Sequence, residues 1–172
     1  HYARHVVKTD TTSVKTFESV NRGPAGLVHT GTVAWFEPMD KKVGAQTEFS
    51  VESLDKLPRV DVIYAHANMS ADLIEAAVKN GAKGIVVAGV GDGNMTSPAL
   101  ETLKRLAASG VVVVRSTRLP QGLVLRNNEV NDDEMGFVAS GELNPAKSRV
   151  LLQLALTLTS DPGRIQAMFY DY

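Results

Sequence analysis

Gly84-Ile-Val-Val-Ala-Gly-Val-Gly-Asp-Gly-Asn-Met95 carries the clearest structural signal in these 172 residues. An apolar run of strand type ends at Val90 and enters a turn carrying Gly89, Gly91 and Gly93. A helix start follows at Ser97-Pro98. Where a buried parallel strand gives way to a glycine-rich loop and a helix, the backbone is able to approach a ligand closely. Asp92 and Asn94 are the polar side chains displayed there, and the loop is a candidate for holding a nucleotide, a small polar substrate, or nothing.

The same pattern repeats on both sides. Val60–Ala65 reads as a strand, and Ser70–Asn80 as a helix with Leu73, Ile74, Ala77 and Val78 on its inner face, stopped at Asn80-Gly81. After the glycine loop, Ser97 is the expected cap of a helix with Pro98 at its first position and Leu100, Leu103, Leu106 and Ala107 facing inward. Val111–Val114 reads as a strand buried on both faces. Strand and helix alternating through short loops predict a small parallel α/β domain with right-handed crossovers. Its strand ends would present His66 and Asn68, then Asp92 and Asn94, then Arg115, Ser116, Thr117 and Arg118.

Further on, a polar loop covers Arg126–Glu134 and Gly136–Ala139 reads as a short strand. Asn144-Pro145 opens a long helix expected to reach Thr159 and to be packed on both sides. Asp161-Pro162 opens a last one, with Ile165, Met168 and Phe169 inward. Upstream, Val14, Phe17 and Val20 suit a short helical or extended segment, and Gly26–His29 with Thr32–Phe36 suits a hairpin turning at Thr30-Gly31. Such a hairpin is marginal alone. Residues 37–56 read as a polar linker with Phe49 and Val51 as anchors, and Leu57-Pro58 marks a domain boundary. The chain opens at His1 in mid-pattern with no legible leader, so a truncated piece is expected.

Composition narrows the classes. The 172 residues are 44% hydrophobic and 22% charged with a net charge of −1, which gives no reason to expect nucleic acid or an anionic membrane as partner. Cysteine is absent, so disulfides and thiolate metal sites are excluded. No apolar run approaches the roughly 18–20 residues that span a bilayer.

Known chemical signatures fit poorly. Gly89-x-Gly91 begins a dinucleotide fingerprint, but Asn94 stands at its third glycine, and the next strand ends in Arg115 where an acid would hold a ribose. Neither a phosphate-binding Gly-Lys-Ser/Thr nor a G-x-S-x-G elbow occurs. His1 and His5 have metal-ligand spacing without a third ligand. Arg115 and Arg118 suit an anion or an ion pair equally, and Asp132, Asp133 and Glu134 read as a solvated loop. Asp92 and Asn94 suit a turn as well as a site. The residues outline a binding surface with no convincing nucleophile and base.

Several motifs then fall in order: Val87-Ala-Gly-Val-Gly-Asp-Gly-Asn94, Val114-Arg-Ser-Thr-Arg118, Asn128-Glu-Val-Asn-Asp-Asp133, Gly136-Phe-Val-Ala-Ser-Gly-Glu-Leu-Asn-Pro145 and Arg149–Thr157. Together they closely resemble the bacterial type II L-asparaginases, most of all the periplasmic glutaminase-asparaginases of pseudomonad type, from about Arg4 to Tyr172. The resemblance implies chains about twice this length. Residues 1–36 would be the end of a larger N-terminal α/β domain, its last hairpin included, 37–56 the interdomain linker, and 57–172 a small C-terminal three-layer α/β domain with a parallel sheet.

It further implies a periplasmic homotetramer, a dimer of dimers. The reaction would hydrolyse L-glutamine or L-asparagine to L-glutamate or L-aspartate and ammonia through a threonine acyl-enzyme, without metal or organic cofactor. The family's catalytic threonines, aspartate and lysine have no counterpart here, so the piece alone is expected to be inactive. Asn94 and Glu129 match residues that reach a neighbouring subunit's site and hold the substrate's α-amino end, and Asp92 is a further possibility. The competing expectation is a non-catalytic amino-acid-binding or oligomerisation module, with a nucleotide-binding oxidoreductase domain behind it.

Overall fold

The computed structural model describes every residue except Glu37 and Met39, so that part of the expected linker lies outside the described residues. Two small antiparallel pairs come first: β1 (Val7–Lys8) with β2 (Phe17–Glu18), and β3 (Gly26–His29) with β4 (Thr32–Trp35). The segment around Phe17 is therefore extended. The second pair is the expected hairpin. His29 faces Thr32 across Thr30 and Gly31, whose φ values of 47° and 79° are those of a tight two-residue turn.

The main sheet is wholly parallel, in the order β5 (Val60–Tyr64), β6 (Gly84–Gly89), β7 (Val112–Thr117) and β8 (Phe137–Ala139). Strand periodicity divides its side chains between two cores. Ile63, Ile85, Val87, Val113 and Phe137 face helices α1 (Asp72–Lys79) and α2 (Ser97–Ala108). Val60, Val86, Val112, Val114 and Val138 face α4 (Pro145–Ala155) and α5 (Pro162–Asp171), which follow the one-turn helix α3 (Asp132–Met135). The result is the parallel α/β domain that the alternation predicts, in the three layers, helix–sheet–helix, that the resemblance implies.

Several local expectations need correction. Thr96, not Ser97, is the N-cap of α2, and its hydroxyl donates to Met69 O at 2.8 Å instead of capping the helix. This tie fastens the end of the glycine loop to the neighbouring strand's loop. Leu73 lies on the outer face of α1, with Ile74 and Ala77 buried. Helix α4 ends near Leu156 and is one-sided: Ser148, Leu151, Leu152 and Ala155 are buried while Val150 is half exposed. Val51 is exposed and so is not the buried apolar anchor expected of it. Phe49 does anchor, packing on Tyr172 with ring centroids 4.8 Å apart.

The segment before the sheet is held to it largely by polar ties. Glu142, its side chain 5% exposed, accepts from Arg4 Nε at 3.0 Å and Arg22 Nε at 2.9 Å. Lys147 Nζ donates to Arg4 O at 2.9 Å and also to Val6 O. Asn21 exchanges two hydrogen bonds with the backbone of Gly122.

Candidate functional site

Strand β6 sets the site. Gly89 ends it because the returning loop lies against it: a Cβ there would stand 2.4 Å from the carbonyl carbon of Gly93. Val90 and Asn94 then exchange both backbone hydrogen bonds at 2.8 Å, closing a loop of three residues. Gly93 sits at φ 76°, packed beneath Arg115, where a side chain would be strained and crowded. The loop is thus a tight knuckle that turns Asn94 outward.

Asn94 finds Glu129 there. Its Nδ2 donates to Glu129 Oε2 at 3.2 Å, and its Oδ1 accepts from Met95 N at 2.7 Å. These two bonds fix which way the amide faces, since a carboxylate requires the NH2 end and a backbone N–H the oxygen. Both side chains are exposed, and among the described residues Glu129 Oε1 takes no hydrogen bond. The pair presents an acceptor-rich, negatively charged edge suited to an ammonium group. Beside it Val90, Leu123 and Leu125 are about half exposed, an apolar border on the same loops.

Asp92, the third candidate, points elsewhere. Its Oδ1 accepts from Leu125 N at 2.7 Å and its Oδ2 from Asn128 Nδ2 at 2.6 Å. Arg115 is not a strand-end residue at all, because β7 runs through Thr117 and the Arg115 side chain is fully buried. Its guanidinium meets Asp132 through Nε at 2.6 Å and Nη2 at 2.7 Å, and donates to Asp92 O at 2.7 Å and Leu125 O at 2.9 Å. The anion-binding reading of Arg115 gives way to this bidentate pair. The reading of Asp132 as solvated is likewise wrong, for it is fully buried and also accepts from Asn127 N at 2.8 Å.

The neighbouring Asp133 does remain at the surface. Hydrogen bonds from Asn127 and Arg126 hold its carboxyl below the ordinary carboxylate range. Arg118 donates to Ala65 O at 2.8 Å, tying β7's end to β5's. His66 turns to its own loop, on Ala67 O at 2.8 Å, and Asn68 sits at φ 56°. His1 and His5 take different partners, Ser19 and Glu142, and among the described residues no cluster of His, Asp or Glu could hold a metal.

Residues that sequence reasoning missed are those that brace the acidic loop: Asn127, Asn128 and the buried Asp132. One signal was available. An arginine inside a Val-Val-Val-Arg-Ser-Thr strand buried on both faces requires a buried acid opposite it.

A parallel sheet with helices on both faces, carrying an Asn–Glu pair on two loops beyond its strand ends, belongs to a definable class. Residues 59–169 match the glutaminase/asparaginase C-terminal domain, and the chain belongs to that family. It is 49% identical over 99% of its length to a protein of Haemophilus influenzae named probable periplasmic L-asparaginase, covering 49% of that protein. It is 48% identical over 98% of its length to L-asparaginase 2 of Escherichia coli, covering 49% of it. Identity to the glutaminase-asparaginase of Pseudomonas fluorescens biotype A is 37% over 87% of the chain and 42% of the relative. Identity is thus higher to these two relatives named asparaginase than to the pseudomonad protein. The chain spans about half the length of the curated relatives it matches.

Proposed function

We propose that this chain is the C-terminal part of a periplasmic amidohydrolase that converts L-asparagine or L-glutamine to the corresponding acid and ammonia. Residues 57–172 form its second domain, 37–56 the linker, and 1–36 the end of a larger first domain. Asn94 and Glu129 bind the substrate's α-ammonium group. The observation that carries this reading is the 3.2 Å Asn94–Glu129 hydrogen bond on two exposed loops, with one carboxylate oxygen taking no hydrogen bond among the described residues. Family membership and the names of the relatives supply the reaction.

The pair recognises one end of the substrate and leaves the chemistry to other residues. A carboxylate beside an ammonium group holds that end of the amino acid through charge-assisted hydrogen bonds. That nucleophile is a threonine outside these 172 residues. It forms an acyl-enzyme as ammonia leaves, and water then releases the acid. The half-exposed Val90, Leu123 and Leu125 border suits coverage by another subunit, so the pair completes a neighbour's site in a homotetramer built as a dimer of dimers.

Ammonia release tests this directly. The isolated 172-residue chain should release none from asparagine or glutamine, and turnover by it alone would overturn the proposal. In the full-length enzyme, Glu129→Ala should lower kcat/KM by about tenfold or more, the loss of one charged hydrogen-bonding partner. The trans arrangement has its own check. Subunits carrying Glu129→Ala, co-assembled with subunits lacking the nucleophilic threonine, should regain activity, because one site of each mixed pair is then complete.

A further inference from the structure

We propose that Asp92 is a positioning residue for the Asn94–Glu129 pair: its carboxylate latches the glycine loop to the acidic loop and so sets the spacing of the two substrate-binding side chains. This rests on the substrate-binding reading of that pair.

The pair cannot hold the two loops together by itself. The Asn94–Glu129 contact is a single 3.2 Å bond between two exposed side chains, and a solvated bond of that kind contributes little to ordering a loop. Glu129 has no other hydrogen-bond partner among the described residues. Its position must be set by residues around it.

Asp92 supplies what is missing. An aspartate in a Gly-Asp-Gly turn ordinarily serves its own backbone a residue or two away. Here both oxygens leave the turn, one to Leu125 N, 33 residues on, and one to the Asn128 side chain, 36 residues on. Asn128 immediately precedes Glu129, as Asp92 precedes Asn94 by two. At 2.7 and 2.6 Å both bonds are shorter than the 3.2 Å contact between the pair itself, and Asp92 is partly buried where Asn94 and Glu129 are exposed.

The buried ion pair stands behind the latch. Arg115 holds Asp92 O and Leu125 O from below, and Asp132 holds Asn127 N. The middle of segment 125–128 is held as well by the Arg126 side chain, on Phe137 O and Gln166 Oε1, and by the Asn127 side chain, which exchanges hydrogen bonds with Asp133. The Asp92 carboxylate holds its two ends, the Leu125 N–H and the Asn128 side chain next to Glu129. The role is one of geometry, so it needs acceptor oxygens and not a charge.

The chemistry predicts a distinctive kinetic pattern. The ammonium end lies away from the reacting amide, so loosening its grip weakens ground state and transition state alike and raises KM at nearly constant kcat. In the full-length enzyme Asp92→Ala should raise KM for L-asparagine about tenfold with kcat within about twofold. Asp92→Asn should restore KM to within about twofold, since its amide oxygen still takes Leu125 N and its NH2 meets a turned Asn128 amide. Asn128→Ala removes one arm only and should raise KM by about threefold. In a Glu129→Ala background Asp92→Ala should add nothing further.

Hydrogen exchange of the 172-residue chain supplies the independent readout. Asp92→Ala should speed exchange at residues 124–130 without moving the global unfolding midpoint. Unchanged KM and unchanged exchange in that variant, with Glu129→Ala still raising KM, would overturn the latch and leave the substrate-binding reading standing. Failure of Asn to rescue would overturn the geometric role in favour of charge. If Glu129→Ala leaves KM unchanged, the substrate-binding reading fails instead, and the exchange at 124–130 still decides whether Asp92 fastens the loop. Should the alanine variant not fold, Asn128→Ala tests the latch in its place and Asp92→Asn tests the geometric role.

Discussion

The two ends of this chain solve the burial problem differently. Residues 57–172 close two cores around one parallel sheet, and β6 is buried along its entire length. Residues 1–36 form two-stranded pairs whose apolar side chains face outward: Leu27, Val28 and Val33 are exposed and Trp35 is 69% exposed. What fastens this first segment is polar, with Glu142 as its main anchor. Stability and recognition are therefore separable here. The sheet carries its own stability and lends rigidity to the Asn94–Glu129 edge. The hairpin offers apolar surface and draws little stability from it.

The largest test of that contrast lies in the buried pair. Arg115→Ala leaves the buried Asp132 without its counter-charge, with only the Asn127 N–H among the described residues still donating to it, and it should destabilise the chain by about 3–5 kcal/mol. Denaturant unfolding followed by far-ultraviolet circular dichroism measures this. A cost under about 1 kcal/mol, the level of an exposed pair, would mean that the sheet does not depend on the pair. Replacing both partners by apolar residues of similar volume should cost much less than removing either one.

The same pair marks where the sequence stopped being readable. The succession of strands and helices and the buried face of most of them follow from period-two and period-3.6 patterns, because those patterns record which faces are buried. Asn94 was legible as a polar side chain displayed on the glycine loop, but its joint role with Glu129 came only through resemblance. Their meeting spans 35 residues of chain, and no local pattern encodes such a contact. Asp132 was misread for a related reason. In sequence it stands in an acidic run that looks solvated, and only the sheet's third dimension puts it beside Arg115. The end of β7 was misplaced because a charged residue was taken as a strand terminus, when its charge is neutralised within the strand.

Acidification should separate the two regions more gently. Burial pushes the Glu142 carboxyl up, but hydrogen bonds from Arg22 and Arg4 outweigh it and hold the group below its ordinary 4.5. Burial holds His5 below its ordinary 6.5 against the pull of Glu142. Both groups are depressed in the folded state, so both contribute stability that is present above the unfolded values. That of His5 declines as pH falls through 6.5 toward its folded value, and that of Glu142 declines below 4.5. Hydrogen exchange at residues 5–8 should therefore accelerate in two stages as pH falls, after correction for intrinsic rates, while β6 stays protected. His5→Phe should abolish the upper stage and leave the lower one. Acceleration in β6 at the same pH as in residues 5–8 would show that the two regions unfold together.

The smallest effect is expected at the most conspicuous residue. Trp35 is large and apolar, yet it sits opposite Gly26 in a two-stranded pair with most of its area in solvent. Trp35→Ser removes little that this chain has buried, so the unfolding free energy should move by no more than about 0.5 kcal/mol. A loss of 2 kcal/mol or more, on the scale of about 3–5 for truncating a buried aromatic, would mean that the hairpin already packs into a core. The same substitution in the full-length enzyme discriminates further. If residues 1–36 complete a larger domain there, the exposed face of β3 and β4 is covered, and Trp35→Ser should then cost several times what it costs here. Equal small effects in both would sever the hairpin from any such domain and leave its apolar face as a free surface.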